Sequence, residues 1–163
     1  MKGIVISVCM AMVGVAGCNA PLQDRSLTEY VADKDVIGVW TLASNSLALL
    51  VRDGLKEPEN QTNQIIFHAD GTCLFHTVLD DFKSGTHHEA TGQWKLEKDT
   101  KGDSNVQKKN AVRMELVLPT TTCLKYLNFD RRNGELVLWS FYGDPDSWEF
   151  MEYAKTPKQL PEH

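Results

Sequence analysis

Two apolar runs meeting at Ala69-Asp70-Gly71 constrain this chain more than any other feature. Gln64-Ile65-Ile66-Phe67-His68 precedes the corner and Thr72-Cys73-Leu74-Phe75-His76-Thr77-Val78-Leu79 follows it. An Asp-Gly pair supplies the positive φ of a tight turn between antiparallel strands, so the segment reads as a β-hairpin. Placing His68 opposite Thr72 puts Ile65, Phe67, Cys73 and Phe75 on one face and His68 and His76 on the other, because side chains alternate along a strand. A lone hairpin is marginal in water, so the apolar face requires further strands.

The remainder of the chain supplies them. Residues 36–42 read as a first strand, with Gly38 permitting a bend. In 46–54, Leu47, Leu50 and Val51 recur at helical spacing and Gly54 can close the end, which predicts a short helix across one end of the sheet. Ala90, Gly92, Trp94 and Leu96 alternate with Glu89, Thr91, Gln93 and Lys95, giving the clearest strand with one buried face. Val112, Met114, Leu116 and Leu118 repeat that pattern and stop before Pro119. Residues 123–129 and 135–142 flank Asp130-Arg131-Arg132-Asn133-Gly134, where Asn-Gly marks another hairpin. Residues 148–154 form a last strand, and 156–163 a polar tail. Roughly eight short strands joined mostly by hairpins, with one helix after the first strand, predict an all-β fold, an antiparallel up-and-down barrel over 36–155 whose closure removes exposed edges.

Gly38-Val39-Trp40 on the first strand resembles the Gly-X-Trp signature of lipocalins. The resemblance implies a lipocalin-like barrel, with Lys155 standing where those proteins fold a basic residue over the tryptophan. Of the four tryptophans, Trp40, Trp94, Trp139 and Trp148, each either packs in the core or lines a site. Trp40, Phe67, Phe75 and Trp94 are expected to line a place for a small apolar ligand at the open end of the barrel.

The amino terminus has a different character. Met1-Lys2-Gly3 places a positive charge ahead of an uncharged apolar run from Ile4 to Val15, the order of a secretory leader. That run falls short of the about 20 apolar residues a helix needs to cross a bilayer. Val15-Ala16-Gly17-Cys18 resembles the lipobox of bacterial lipoproteins. The resemblance implies a signal peptide over 1–17, cleavage before Cys18, and acyl chains (palmitate among them) on Cys18 that hold the protein to the membrane. Several chains, each contributing about 0.8 kcal/mol per buried methylene, make such an anchor stable. Asn19 follows where an aspartate retains enterobacterial lipoproteins at the inner membrane, which implies the outer membrane, facing the periplasm. Residues 18–35 hold no sustained period and read as the acylated terminus and a tether, with room for a turn of helix opening at Ser26 and capped by Glu29.

Charge and chemistry narrow the function. The formal net charge is −5, and the leader carries only Lys2 among the charged residues. An acidic chain without a basic stripe disfavours nucleic acid as a partner. With Cys9 in the leader and Cys18 acylated, Cys73 and Cys123 remain, and two readings stay open: a disulfide, as an oxidising compartment allows, or two buried thiols. His87 and His88 are adjacent and point to opposite faces of a strand, which argues against metal chelation by the pair. Asp144 and Asp146 about Pro145 offer too few oxygens for calcium. No Gly-X-Ser-X-Gly elbow is present and neither cysteine has an activating partner at fixed spacing, so the expectation is a protein that is not an enzyme and takes no cofactor. The reading that follows is an envelope lipoprotein binding a small apolar ligand. Its alternative is a module that engages an envelope protein, as an enzyme inhibitor or assembly factor, through loops at 84–88 and 143–146.

Overall fold

The computed structural model describes residues 27, 29–54, 63–78, 87–98, 110–143 and 147–157. Within them the elements run α1 (Asp33–Val36), β1 (Gly38–Leu42), α2 (Ser44–Arg52), β2 (Gln64–Phe67), β3 (Thr72–Val78), β4 (His87–Lys98), β5 (Asn110–Val117), β6 (Thr122–Arg132), β7 (Glu135–Phe141) and β8 (Phe150–Lys155). The eight strands form a closed barrel in sequence order. Each strand is antiparallel to the next, and β8 returns to β1 through Trp40 opposite Lys155 and Leu42 opposite Tyr153.

The turn chemistry sets the registers. At the first hairpin Phe67 faces Cys73 and Ile65 faces Phe75. The Asp70 carboxylate accepts from the Thr72 backbone N–H at 2.9 Å and from its hydroxyl at 2.7 Å, while Gly71 takes φ +85°. Asn133 and Gly134 both have positive φ, 53° and 87°, which is the mirror-image turn that matches strand twist. That register makes Trp40, Ile65, Phe75, Ala90, Trp94, Met114, Leu127, Leu138 and Tyr153 an inward-facing set, all of them buried.

Several boundaries differ from the sequence reading. Val36 closes α1 instead of opening the first strand, and the backbone reaches extended geometry only from Gly38. The segment read as tether is part of the fold at its end, since Val31 is buried in the core, Leu27 packs against it, and the Leu27 N–H donates to the Phe129 carbonyl at 2.9 Å. The turn of helix lies at α1 rather than at Ser26; there the Asp35 carboxylate accepts from the Ala32 N–H at 3.3 Å. β6 runs on to Arg132, so only Asn133 and Gly134 form the corner, and β8 starts at Phe150.

Gly92 shows why the long strand β4 needs a gap in its side-chain pattern. It lies opposite both Cys73 and Leu116, within unbroken ladders to β3 and β5. A Cβ there would stand 2.2 Å from the Glu115 carbonyl oxygen and 3.1 Å from the Leu116 Cα. Backbone cannot move aside as a flexible side chain can. Gly92→Ala is expected to destabilise the barrel by about 2–4 kcal/mol, measured by urea unfolding; Gly134→Ala, where nothing lies within 4 Å, serves as the comparison for a purely conformational cost.

Candidate functional site: the mouth of the barrel

The two ends of the barrel are closed by different means. At the end where β1, β3, β5 and β7 begin, the seal is deep and apolar. Trp40 is fully buried, and its indole N–H donates to the Val36 carbonyl at 2.7 Å. Lys155 Nζ lies 5.6 Å above the centre of the Trp40 ring and donates to the Asp35 carbonyl at 2.6 Å. One lysine thus joins the last strand to the first strand and to α1, combining a cation–π contact with a hydrogen bond. Gly38, at φ +132°, leaves the Lys155 stem its path, since a Cβ would sit 3.2 Å from Cε. Arg131 pairs with Glu29 at 2.8 Å on the same floor.

The opposite end is covered by α2. Leu50 is fully buried, and Leu47 and Leu49 pack against the core; of the three residues whose spacing indicates the helix, Leu47 and Leu50 turn inward while Val51 is 46% exposed. What fastens α2 is mostly polar. The Ser46 hydroxyl donates to the Phe150 carbonyl at 3.0 Å and accepts from the Glu152 N–H at 2.8 Å. Asn45 donates to the Glu152 carboxylate at 3.0 Å, and Arg132 donates to its other oxygen at 2.7 Å. Arg52 grips Glu149 and its neighbour Asp53. Trp148 adjoins that grip on the rim with φ +57° and 43% exposure. A bulky residue in that backbone region is uncommon and has to be held there by its surroundings.

Between the two ends the interior is divided. The Thr77 and Tyr153 hydroxyls meet at 3.5 Å; β3 and β8 are not neighbours in the sheet, so this contact crosses the lumen. The expected lining residues all face inward. Trp40, Phe67 and Phe75 have no more than 1% of their surface exposed, and Trp94 has 8%. Phe67 and Trp94 meet edge to face at 5.3 Å, and the Trp94 indole N–H donates to the His68 carbonyl at 2.9 Å. In this conformation these four aromatics are filled core, occupying the floor and middle of the barrel.

The mouth holds residues that sequence reading passed over. Ser140, 7% exposed, is inward-facing opposite Met151, and its hydroxyl is buried with no hydrogen-bond partner. Lys125, 8% exposed, faces inward opposite Met114. The signal for Lys125 was the alternation Cys123, Lys125, Leu127, Phe129, which places a cation on an otherwise apolar face. Trp139 lies on the outer face, edge to face with Phe141 and Phe150 at 5.4 Å each.

Cys73, buried, and Cys123, half-buried, are free thiols. Cys73, Gly92, Leu116 and Cys123 form one row across β3, β4, β5 and β6, so three strand spacings of about 4.8 Å separate the sulfurs' strands. A bridge needs Cα atoms within about 7 Å, and of the two readings the sequence left open the thiols are the one found. Burial pushes the Cys73 thiol up to about 11, and burial likewise raises Cys123 against the opposing charge of Lys125. Neither is a thiolate nucleophile near neutrality. Among the described residues no three His, Cys, Asp or Glu side chains gather into a metal-binding group. The loop positions 84–86 and 144–146, and the Asp144 and Asp146 pair, lie outside the described residues, as does Cys18. Comparison with protein-family profiles, with curated proteins and with solved structures finds no match.

The fastening of α2 has a pH dependence whose sign is fixed. Hydrogen bonds from Arg52 hold Asp53 below its ordinary 3.8 and Glu149 below its ordinary 4.5. Acids lowered in the folded state contribute stability above their unfolded values and lose it as pH falls through the folded ones. The Arg52 grip is therefore complete above about pH 4.5 and weakens below it. Hydrogen exchange at decreasing pH, corrected for intrinsic rates, is expected to show α2 amides losing protection before those of β4 and β5. Arg52→Gln should abolish that difference.

Proposed function

We propose that this protein is a lipid-anchored lipoprotein of the bacterial envelope whose barrel takes a small apolar molecule through the end covered by α2. The observation that carries the reading is the unequal closure. One end is sealed by Trp40, Lys155, α1 and buried Val31, whereas the other is capped by a nine-residue helix fastened by Leu50, by Ser46 hydrogen bonds and by the exposed Arg52 pairs. A binding barrel needs one fixed end and one that opens. The seating of Lys155 over Trp40, beside Gly38, adds to the lipocalin resemblance begun by Gly38-Val39-Trp40 and supports the same reading.

The anchor follows from Val15-Ala16-Gly17-Cys18. With Cys18 acylated, nine residues of sequence separate the lipid from Leu27. Leu27 is fastened to the floor through the Phe129 carbonyl. The floor would then face the bilayer, and the mouth the aqueous side. A protein partner is the second reading, and what favours it is an apolar stripe on the outer face of β5 and β6: Val117, Leu124 and Tyr126 are 58%, 49% and 43% exposed.

Two measurements test the proposal. Mass spectrometry of the mature amino terminus is expected to find acylated Cys18, and Cys18→Ser should move the protein from membrane to soluble fractions; an unmodified terminus overturns the anchor. For the site, the uncharged dye N-phenyl-1-naphthylamine should bind saturably. Leu42→Trp, which fills the mouth beside Tyr153, should weaken it by about tenfold or more, a loss of at least about 1.4 kcal/mol. Absence of saturable dye binding overturns the binding reading.

A further inference from the structure

We propose that the upper half of β6, residues 122–127, is a docking edge on which a second copy of this chain pairs the same strand antiparallel to it. The proposal gives the apolar stripe on β5 and β6 its occupant and depends on neither the ligand nor the anchor.

The first observation is a seam of the barrel that is paired over only part of its length. β6 lies against β5 from Thr122 to Asn128, but against β7 only from Asn128 to Arg132. Above that row β7 continues beside β8 alone, as far as Phe141 opposite Phe150. Bonded and non-bonded pairs alternate along an antiparallel ladder, and one bond fixes the phase. The Leu118 N–H donates to the Thr121 carbonyl at 2.8 Å, so the odd residues of β6 turn their backbone groups to β5. Thr122, Leu124 and Tyr126 turn theirs to the far side, where among the described residues no strand receives them. Such a row of backbone donors and acceptors is a template for a further strand.

The second observation is what the outward side of this edge carries. Val117, opposite Thr122, with Leu124 and Tyr126 make up three of the six large apolar side chains exposed among the described residues. Strand edges are commonly blunted by an outward charge or a proline. Here the outward positions hold threonine, leucine and tyrosine.

Charge selects a second copy as the occupant. At −5, two copies repel unless they meet where charge is balanced. The outward positions of β5 beside this edge supply that balance, Arg113 reaching Glu115 at 3.6 Å. A two-fold axis through Leu124 sets Leu124 beside Leu124 of the second copy and Tyr126 beside its Thr122, and all of these are residues whose backbone groups face the junction. The patch is self-complementary, as a two-fold interface requires. Glu115 lies one strand behind Leu124, so the two copies of Glu115 stand three strand spacings apart, about 14 Å, beyond the screening length of about 8 Å at physiological salt.

The test uses the full chain in density-matched detergent. Sedimentation equilibrium should give the protein mass of two chains. Leu124→Lys, which brings two ammonium groups together at the axis, should weaken the dimer at least tenfold. Val51→Lys, which removes a comparably exposed apolar side chain from α2, should leave it within twofold, and circular dichroism establishes that both variants are folded. Hydrogen exchange should find the Leu124 and Tyr126 amides at least tenfold slower in the dimer than in the diluted single chain. A single-chain mass for wild type, a dimer that survives Leu124→Lys, or protection gained elsewhere than on β6 overturns the proposal. A single chain whose Leu124 and Tyr126 amides slow only when envelope extract is added assigns the edge to a different protein and overturns the second copy.

Discussion

Closure of the barrel rests on the contact of Lys155 with Trp40 and α1. Every other pair of neighbouring strands is joined by a segment of intervening chain, but β1 and β8 have no such connection and must find one another. Three Cα pairs make their ladder, among the shortest around the barrel. A short ladder contributes little by hydrogen bonds alone, because each exchanges against water for about 1 kcal/mol. The fully buried Trp40, the Lys155 ammonium above its face and the Asp35 carbonyl that the ammonium reaches add apolar burial and charge at the same point. The Thr156 N–H donating to the Val39 carbonyl at 2.8 Å extends the junction past the strand.

The unequal ends follow from how each is built. On the floor, side chains of α1, β1 and β8 interdigitate, and opening it would expose Trp40, Val36 and Val31 together. At the mouth, α2 gives the interior the fully buried Leu50 with Leu47 and Leu49 packed beside it, and it is held by buried Ser46 and Glu152 contacts and by the exposed Arg52 pairs, of which the exposed pairs contribute little in water. Outside the wall, burial is the main influence raising Asp130, with the nearby Glu152 charge adding to it and the Arg131 N–H opposing. Glu152 is itself 5% exposed and held by Arg132 and Asn45. The patch that fastens α2 is thus crowded with acids and sensitive to any change in Arg132.

Much of this architecture was legible in the residue pattern. The corners at Asp70-Gly71 and Asn133-Gly134 fix where strands reverse, and alternation in β4 and β5 fixes which side is inside. The helix after the first strand was visible because Leu47, Leu50 and Val51 keep helical spacing. Two things were hidden. Val36 has high strand propensity, yet it closes α1, where its carbonyl accepts from the Trp40 indole four residues on, a side-chain bond that apolar alternation does not register. The donors at the mouth were missed because Lys125 and Ser140 read as ordinary polar residues until the register shows them facing Met114 and Met151. The four aromatics chosen as lining were correctly turned inward, but their packing against one another is a matter of three-dimensional volume, which alternation cannot measure.

The way β1 meets β8 also has a bearing on the birth of the molecule. A chain made from its amino terminus produces its first strand early and its last strand near the very end, so the pairing of Trp40 with Lys155 must wait for almost the entire sequence. Until then the nascent sheet has two raw borders, and long-range pairing of this kind is slow to form. The five residues of β1 are kept short and are flanked by helices on both sides, which limits what a stranger could pair with during that wait. The same brevity that makes the junction depend on one tryptophan and one lysine protects the unfinished sheet from joining its neighbours.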